Sequence, residues 1–289
     1  MADLALLRHS RRATFVVVGL ALLMTTAGVA VAAPSSLTFT PHKADQITNL
    51  DILRIQIENY YGDPGKTGVF APDSNYAMEA SSVAAAGSRW LAAKAGKSRN
   101  HKSPNQAIVL DVDDTTLTTW NYELVSNWAY NATTNAAYVN GQLFPATPGM
   151  VGMVTTAAAE GYAVFWITGR PDSQHAATLG NLGTDGFGVD ARYPAPTGID
   201  IGHGGFTDGL FTKPAVGSYP AYLNKPEFCA AAIAASTSCS TIQYKSGTRA
   251  YIEAMGYDIV ADFGDQYSDL TGGYTDNTFK MPNPNYYLP

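Results

Sequence analysis

Two kinds of hydrophobic pattern alternate along the chain. Residues 106–112, 162–167 and 257–263 are short, nearly continuous apolar runs, the pattern of strands buried on both faces. Around them lie segments of helical character. Residues 44–61 place Ile47, Leu50, Ile52, Leu53, Ile55 and Ile57 at spacings that predict an amphipathic helix, and residues 75–95 predict an alanine-rich one. A loop over 62–73, with Pro64, Gly65, Gly68 and Pro72, separates the two. Pro148-Gly149 opens another alanine-rich helix ending near Glu160-Gly161, and further helices are expected over 173–182 and 246–255. Strands alternating with helices predict an α/β fold, a central parallel sheet covered by helices. Two stretches break the rhythm. Residues 116–147 are polar and aromatic, with Trp120, Tyr122, Trp128, Tyr130 and Tyr138, and residues 193–241 are rich in Gly, Pro and Ala.

The start of the chain follows a different pattern. Arg8-His9-Ser10-Arg11-Arg12 precedes an apolar run over 15–24 and then Ala30-Val31-Ala32, the three regions of a secretory signal cleaved near Ala32 or Ala33. The run is shorter than the roughly 20 residues that span a bilayer, so no stable membrane anchor is expected once the signal is removed. Arg11-Arg12 leaves both the twin-arginine and the general secretory route open. Three organisational parts follow: a signal over 1–33, a helical region over 34–104, and a core over 105–289 with an expanded loop segment at 193–241.

Charge and cysteine usage narrow the class. Loss of residues 1–33 takes the formal charge from −6 to −8. An acidic chain is a poor partner for nucleic-acid polymers or anionic membranes, whereas a small anionic substrate needs only local positive charge. Cys229 and Cys239 are the only cysteines, and in an oxidising compartment they could form one disulfide or remain two buried thiols.

Candidate chemistry concentrates where the apolar runs end. The first run ends Asp111-Val112-Asp113-Asp114-Thr115, at the sheet edge where reactive groups of open parallel sheets collect. Two carboxylates one residue apart resist joint ionisation unless a cation or hydrogen-bond donors compensate them. The second run ends Thr168-Gly169-Arg170, a hydroxyl and backbone amides at a helix approach that suit phosphate oxygens. Lys245, just before the helix expected at 246, offers a point charge, and Gly264-Asp265 with Asp269 returns two carboxylates to the same edge, enough oxygen for a Mg²⁺ site. Each group also has a plain role: Thr168 capping a helix, Lys245 a solvated charge, and Asp114, Asp265 and Asp269 turn or cap residues. Their order along the chain favours the chemical reading over the sum of plain ones.

That order resembles the haloacid dehalogenase superfamily. Tyr122-Glu123, Pro148-Gly149, Tyr244-Lys245-Ser246, Gly264-Asp265-Gln266-Tyr267-Ser268-Asp269-Leu270 and Phe279-Lys280-Met281-Pro282-Asn283-Pro284 narrow the resemblance to subfamily IIIB, the group of bacterial class B and C acid phosphatases and plant acid phosphatase-like storage proteins. It implies a three-layer Rossmann-like fold with a small N-terminal helical region. It further implies an exported Mg²⁺-dependent phosphatase acting on small phosphomonoesters. By the resemblance, Asp111 is the nucleophile and Asp113 the general acid and base, Thr168 and Lys245 hold the phosphoryl group, and Asp111, Asp113 (through its main-chain carbonyl), Asp265 and Asp269 bind the metal. The long 193–241 segment departs from the pattern. A phosphotransferase passing the phosphoryl group to an alcohol or nucleoside, or a silent storage or binding protein, are the alternative functions.

Overall fold

The computed structural model describes residues 40–98, 105–184, 186, 188–202 and 205–288. The expected signal over 1–33 lies outside them, as do residues 99–104 and 203–204. The elements in chain order are α1 (Leu50–Tyr60), α2 (Asn75–Ser98), β1 (Asn105–Leu110), α3 (Trp120–Ser126), α4 (Ala132–Asn140), α5 (Met150–Ala159), β2 (Ala163–Pro171), α6 (His175–Leu182), β3 (Ile199–Gly202), β4 (Gly205–Thr207), β5 (Leu210–Lys213), α7 (Ala230–Ala234), α8 (Thr241–Ala254), β6 (Tyr257–Gly264), α9 (Tyr267–Leu270) and β7 (Thr278–Lys280).

Five strands form one parallel sheet in the order β5-β2-β1-β6-β7, with β1 at its centre. The two faces of β1 follow the period-2 rule: Ile108 and Leu110 enter the cluster that holds Ala80, Ala84 and Leu91 of α2 and Met153, Val154 and Ala157 of α5, while Ala107 and Val109 enter the cluster that holds Tyr244 and Ile252 of α8. Helices thus cover both faces, the expected three-layer α/β arrangement. Among the described residues, no helix is long and apolar enough to cross a membrane.

Several elements differ from the sequence pattern, for identifiable reasons. The first helix begins at Leu50 rather than near Ala44, because the Asn49 side chain accepts hydrogen bonds from the Asp51 and Ile52 amides and sets the cap there. Ile47 before it and Leu50, Ile52, Leu53 and Ile55 on it stay exposed, and Ile57 is the isoleucine of this run that is buried. The polar, aromatic stretch 116–147 folds into α3 and α4; Asn131 caps α4 by accepting from the Thr133 and Thr134 amides. Trp120 stacks on Tyr61, with ring centroids 4.2 Å apart, so it serves as core. The 193–241 stretch supplies a sheet strand, β5, and joins Cys229 to Cys239.

The Pro148-Gly149 corner is where α5 meets α2. Gly149 has φ 81°, and a Cβ there would lie 2.9 Å from the Ser81 Cα and 3.0 Å from the Ala84 Cβ. Both the left-handed backbone and the close helix approach require glycine. Gly149→Ala is expected to destabilise the fold by about 1–3 kcal/mol, read as a lower melting temperature and urea midpoint; a midpoint equal to wild type would contradict this packing.

Candidate active site

β1 ends at the carboxyl edge of the sheet, and the first residue beyond it is Asp111, whose amide donates to the Phe263 carbonyl of β6 at 2.9 Å. The chain then doubles back: the Thr116 and Leu117 amides both donate to the Val112 carbonyl, at 3.0 and 2.8 Å. Asp114 occupies the left-handed region at φ 51°, a conformation aspartate tolerates better than most residues. Its buried carboxylate accepts from the Thr119 amide at 3.0 Å and the Thr119 hydroxyl at 2.5 Å, closing the turn that leads into α3.

β6 and α9 bring the second carboxylate group to the same place. One oxygen each from Asp111, Asp265 and Asp269 falls within 4.8 Å of the others, and all three residues are buried. Gly264 makes this possible, since any Cβ there would overlap the Asp269 side chain. Asp269 is fixed by the Gln266 amide, which donates to it at 2.8 Å, and Asp265 accepts from the Gln266 and Asn283 side-chain amides, both at 2.6 Å. Lys245 reaches into the cluster and donates to the carboxylates of Asp111 and of Asp269, the latter at 2.7 Å. Burial opposes the charge on Lys245, yet these two carboxylates outweigh it and raise its pKa. Burial is also the largest influence on Asp111 and pushes it up to about 7, with Lys245 pulling against it. Asp265 rises well above the usual carboxylate range for the same first reason, and the charges of Asp269, Asp111 and Asp114 add to the rise.

Three buried carboxylates facing one ammonium leave negative charge uncompensated in a site with little water. An oxygen-only donor set of this kind suits a hard divalent cation.

The Asp113 carboxylate is turned away from this cluster. Arg170 grips it at both oxygens, from Nε at 3.0 Å and Nη2 at 2.6 Å, while its Nη1 donates to the Thr178 hydroxyl at 3.0 Å. Asp113 keeps 30% of its side chain exposed against 3% for Arg170, so the acid faces the mouth and the guanidinium stands behind it. Thr168 is buried, its oxygen accepting from the Arg170 amide at 3.2 Å.

Two placements correct the sequence reading. Thr168 lies within β2, which continues to Pro171 with a register shift between Ile167 and Pro171, and a 3-10 turn over Asp172–Gln174 then leads into α6 at His175. Lys245 lies inside α8, because the Ser240 side chain accepts from the Gln243 amide and starts the helix five residues earlier than expected. Residue chemistry alone offered Arg170 only as a support of the second motif or a surface charge and did not pair it with Asp113, 57 positions away, and it left Gln266 and Asn283 without a role although both stand in the family-like motifs. Glu123 of α3 is buried, its carboxyl making no hydrogen bond among the described residues, and burial, with the charges of Asp114 and Asp113, pushes that carboxyl up to about 8. Of the aromatics in the 116–147 stretch, Trp120 and Tyr122 are core residues and Tyr130 is exposed.

Comparison with known proteins agrees with this geometry. The sequence profile of the HAD superfamily, subfamily IIIB (acid phosphatase), matches residues 32–193 and 229–289. Among curated relatives, a stem 28 kDa glycoprotein of Glycine max is 25% identical over 190 residues, 64% of this chain and 61% of its own length. The vegetative storage protein 2 of Arabidopsis thaliana is 44% identical over 48 residues, 17% of this chain and 18% of its own. The chain thus spans less than two thirds of these relatives. Among solved structures, the class C acid phosphatase of Bacillus anthracis with tungstate bound shares the fold, with a TM-score of 0.54 at 17% identity over 83% of this chain and 87% of that one. The profile covers well over half the sequence and both strand ends that form the carboxylate cluster, so the chain belongs to the HAD superfamily, subfamily IIIB, the acid phosphatase subfamily.

Proposed function

We propose that this protein is an exported, Mg²⁺-dependent acid phosphatase that hydrolyses small phosphomonoesters through an aspartyl-phosphate intermediate. The observation that carries the reading is the convergence of a buried carboxylate cluster, a lysine and a threonine on one sheet edge, beside an acid gripped separately by an arginine. Export rests on the leader-like residues 1–33.

In this mechanism Asp111 attacks phosphorus, the ester oxygen leaves with a proton from Asp113, and phosphorus stays bonded to the Asp111 carboxylate. Asp113, now ionised, takes a proton from water as that water attacks the aspartyl phosphate, releasing inorganic phosphate and regenerating both acids. Thr168 and Lys245 hold the phosphoryl oxygens, and Lys245 also keeps Asp111 ionised and oriented. Asp111, the Asp113 carbonyl, Asp265 and Asp269 would hold Mg²⁺, which would supply the charge compensation that admits an anionic substrate among carboxylates. Arg170 is a positioning residue, its fork fixing the Asp113 carboxyl where the leaving oxygen departs. A storage role, which the names of the Arabidopsis relatives suggest, is less well supported, because Asp111, Asp113, Thr168, Lys245, Asp265 and Asp269 all stand in this chain.

Purified protein is expected to release phosphate from an aryl phosphate in mildly acidic Mg²⁺ buffer, to lose that activity on chelation and to regain it with Mg²⁺. Asp111→Asn should lower turnover by on the order of 10³-fold or more. Activity surviving both treatments would overturn the mechanism, and a new ester formed in excess nucleoside would identify phosphotransfer instead.

The role of Asp113 has its own signature. Asp113→Asn should slow hydrolysis of alkyl phosphates by roughly 10²–10⁴-fold and aryl phosphates with acidic leaving groups far less. Arg170→Lys, which keeps the charge but loses the fork, should show the same leaving-group dependence at smaller size. Equal losses on both substrate types would remove proton donation from Asp113 and positioning from Arg170.

A further inference from the structure

The 193–241 segment contributes a cation to this sheet edge that the carboxylates do not consume. Its strand β5 runs parallel to β2 with Ile167 opposite Phe211 and Pro171 opposite Lys213. Phe211 packs in the cluster that holds Tyr244 of α8, whereas Leu210 packs on the opposite face. Two residues on from Phe211, Lys213 takes the same face, the one on which α8 carries Lys245. Thr212 fixes the end of the strand by donating to Asp172 at 2.7 Å, one residue past the β2 position that Lys213 faces.

The rest of the segment seats this strand against α8. Leu223 and Phe228 lie so close to Gly247 that a Cβ there would meet them at 2.6 and 3.0 Å. Tyr222 stacks on Tyr251 with centroids 4.1 Å apart, and the Cys229 to Cys239 disulfide closes the loop, with the Cys239 amide donating to the Tyr219 hydroxyl at 2.9 Å. Lys213 is therefore held on a packed wall.

Lys213 is half-buried, and among the described residues no carboxylate or hydrogen-bond acceptor pairs with it. Burial lowers its pKa and the charge of Lys245 lowers it further, so the two ammonium groups feel each other across the same edge. Lys245 is neutralised by Asp111 and Asp269, and Arg170 by Asp113. An unpaired, partly desolvated cation beside another cation is costly unless an anion arrives. Its position says which anion. Pro171, its strand neighbour, lies three residues beyond Thr168 on β2, outward along the sheet edge. On the phosphatase reading, an anion at Lys213 is separate from the phosphoryl group held at Thr168 and Lys245 and belongs to the rest of the ester.

Resting on the phosphatase reading above, we infer that Lys213 binds a second anionic group on the leaving alcohol, so that the enzyme prefers phosphomonoesters bearing an additional carboxylate or phosphate. The preference would belong to this chain rather than to its subfamily at large, because Lys213 falls between the two segments that the family profile matches.

The test is calorimetric titration of the full-length Asp111→Asn protein with Mg²⁺, which binds esters without turning them over. 3-Phosphoglycerate is compared with glycerol 3-phosphate, and adenosine 3′,5′-bisphosphate with adenosine 5′-monophosphate; the two pairs distinguish a carboxylate from a phosphate as the second anion. The doubly anionic member of at least one pair should bind about tenfold more tightly, the size of one charge-assisted contact. Adding Lys213→Met should bring that ratio close to one, and Lys213→Arg should retain most of it. If Lys213→Met does not fold, as judged by its melting curve, Lys213→Gln provides the same ratio. Equal affinities within both pairs, or a preference that survives loss of Lys213, would overturn the inference. Absence of turnover by the wild-type enzyme with the calorimetric preference intact would count against the phosphatase reading and leave the Lys213 site standing.

Discussion

Lys245 sets one ammonium against two buried carboxylates, Asp111 and Asp269, with a third, Asp265, close beside them. Each of these groups would be expensive to bury alone, and their mutual distances decide whether the edge of the sheet is tolerable or not. The surrounding structure serves that balance. β1 and β6 are adjacent, which brings Asp111 beside Asp265; Gly264 lets Asp269 fold back against its own strand; and the early start of α8 carries Lys245 in from the opposite side. Gln266 and Asn283 both donate to one oxygen of Asp265, Oδ2, a carboxylate to which Lys245 donates no hydrogen bond. Negative charge nevertheless remains in excess, three carboxylates against one ammonium, a donor set that suits a hard cation.

Asp113 stands outside that balance although only one residue separates it from Asp111. Arg170 removes it from the cluster, so neighbouring carboxylates meet different electrostatic surroundings. Division of labour between two close acids needs such a separation, and here β2 provides it by running on through Arg170 where a helix might have begun.

Much of this was legible in the chain, and the parts that were not share a cause. The strands 106–112, 162–167 and 257–263 and the residues at their ends could be read because burial on both faces writes a continuous apolar run. Asp111, Asp265 and Asp269 followed from those ends, and their order along the chain led to the resemblance to subfamily IIIB, which added a role for each. The grip of Arg170 on Asp113 left no local trace, being a contact between side chains on different strands. β5 has only four residues, and its membership of the sheet depends on a partner more than 40 positions earlier. The boundaries at Leu50 and Thr241 were set by single caps, Asn49 and Ser240, which polar stretches offer in several equivalent places.

The path of the chain through the sheet constrains when the structure can form. β1, made early, lies between β2 and β6, and the indole of Trp90 on α2 donates to the Val260 carbonyl 170 positions later at 2.9 Å. Lys94 of the same helix reaches Asp276 at 2.6 Å. Until β6 is available, the central strand has one open edge and α2 lacks half of its bed. Closure over such sequence separations is slow, and the unfinished chain exposes strand edges while it waits. The last 30 or so residues of the 289 therefore act as the fastener of the whole fold, and a ribosome that stalls before β6 leaves a polypeptide with its apolar centre unsealed.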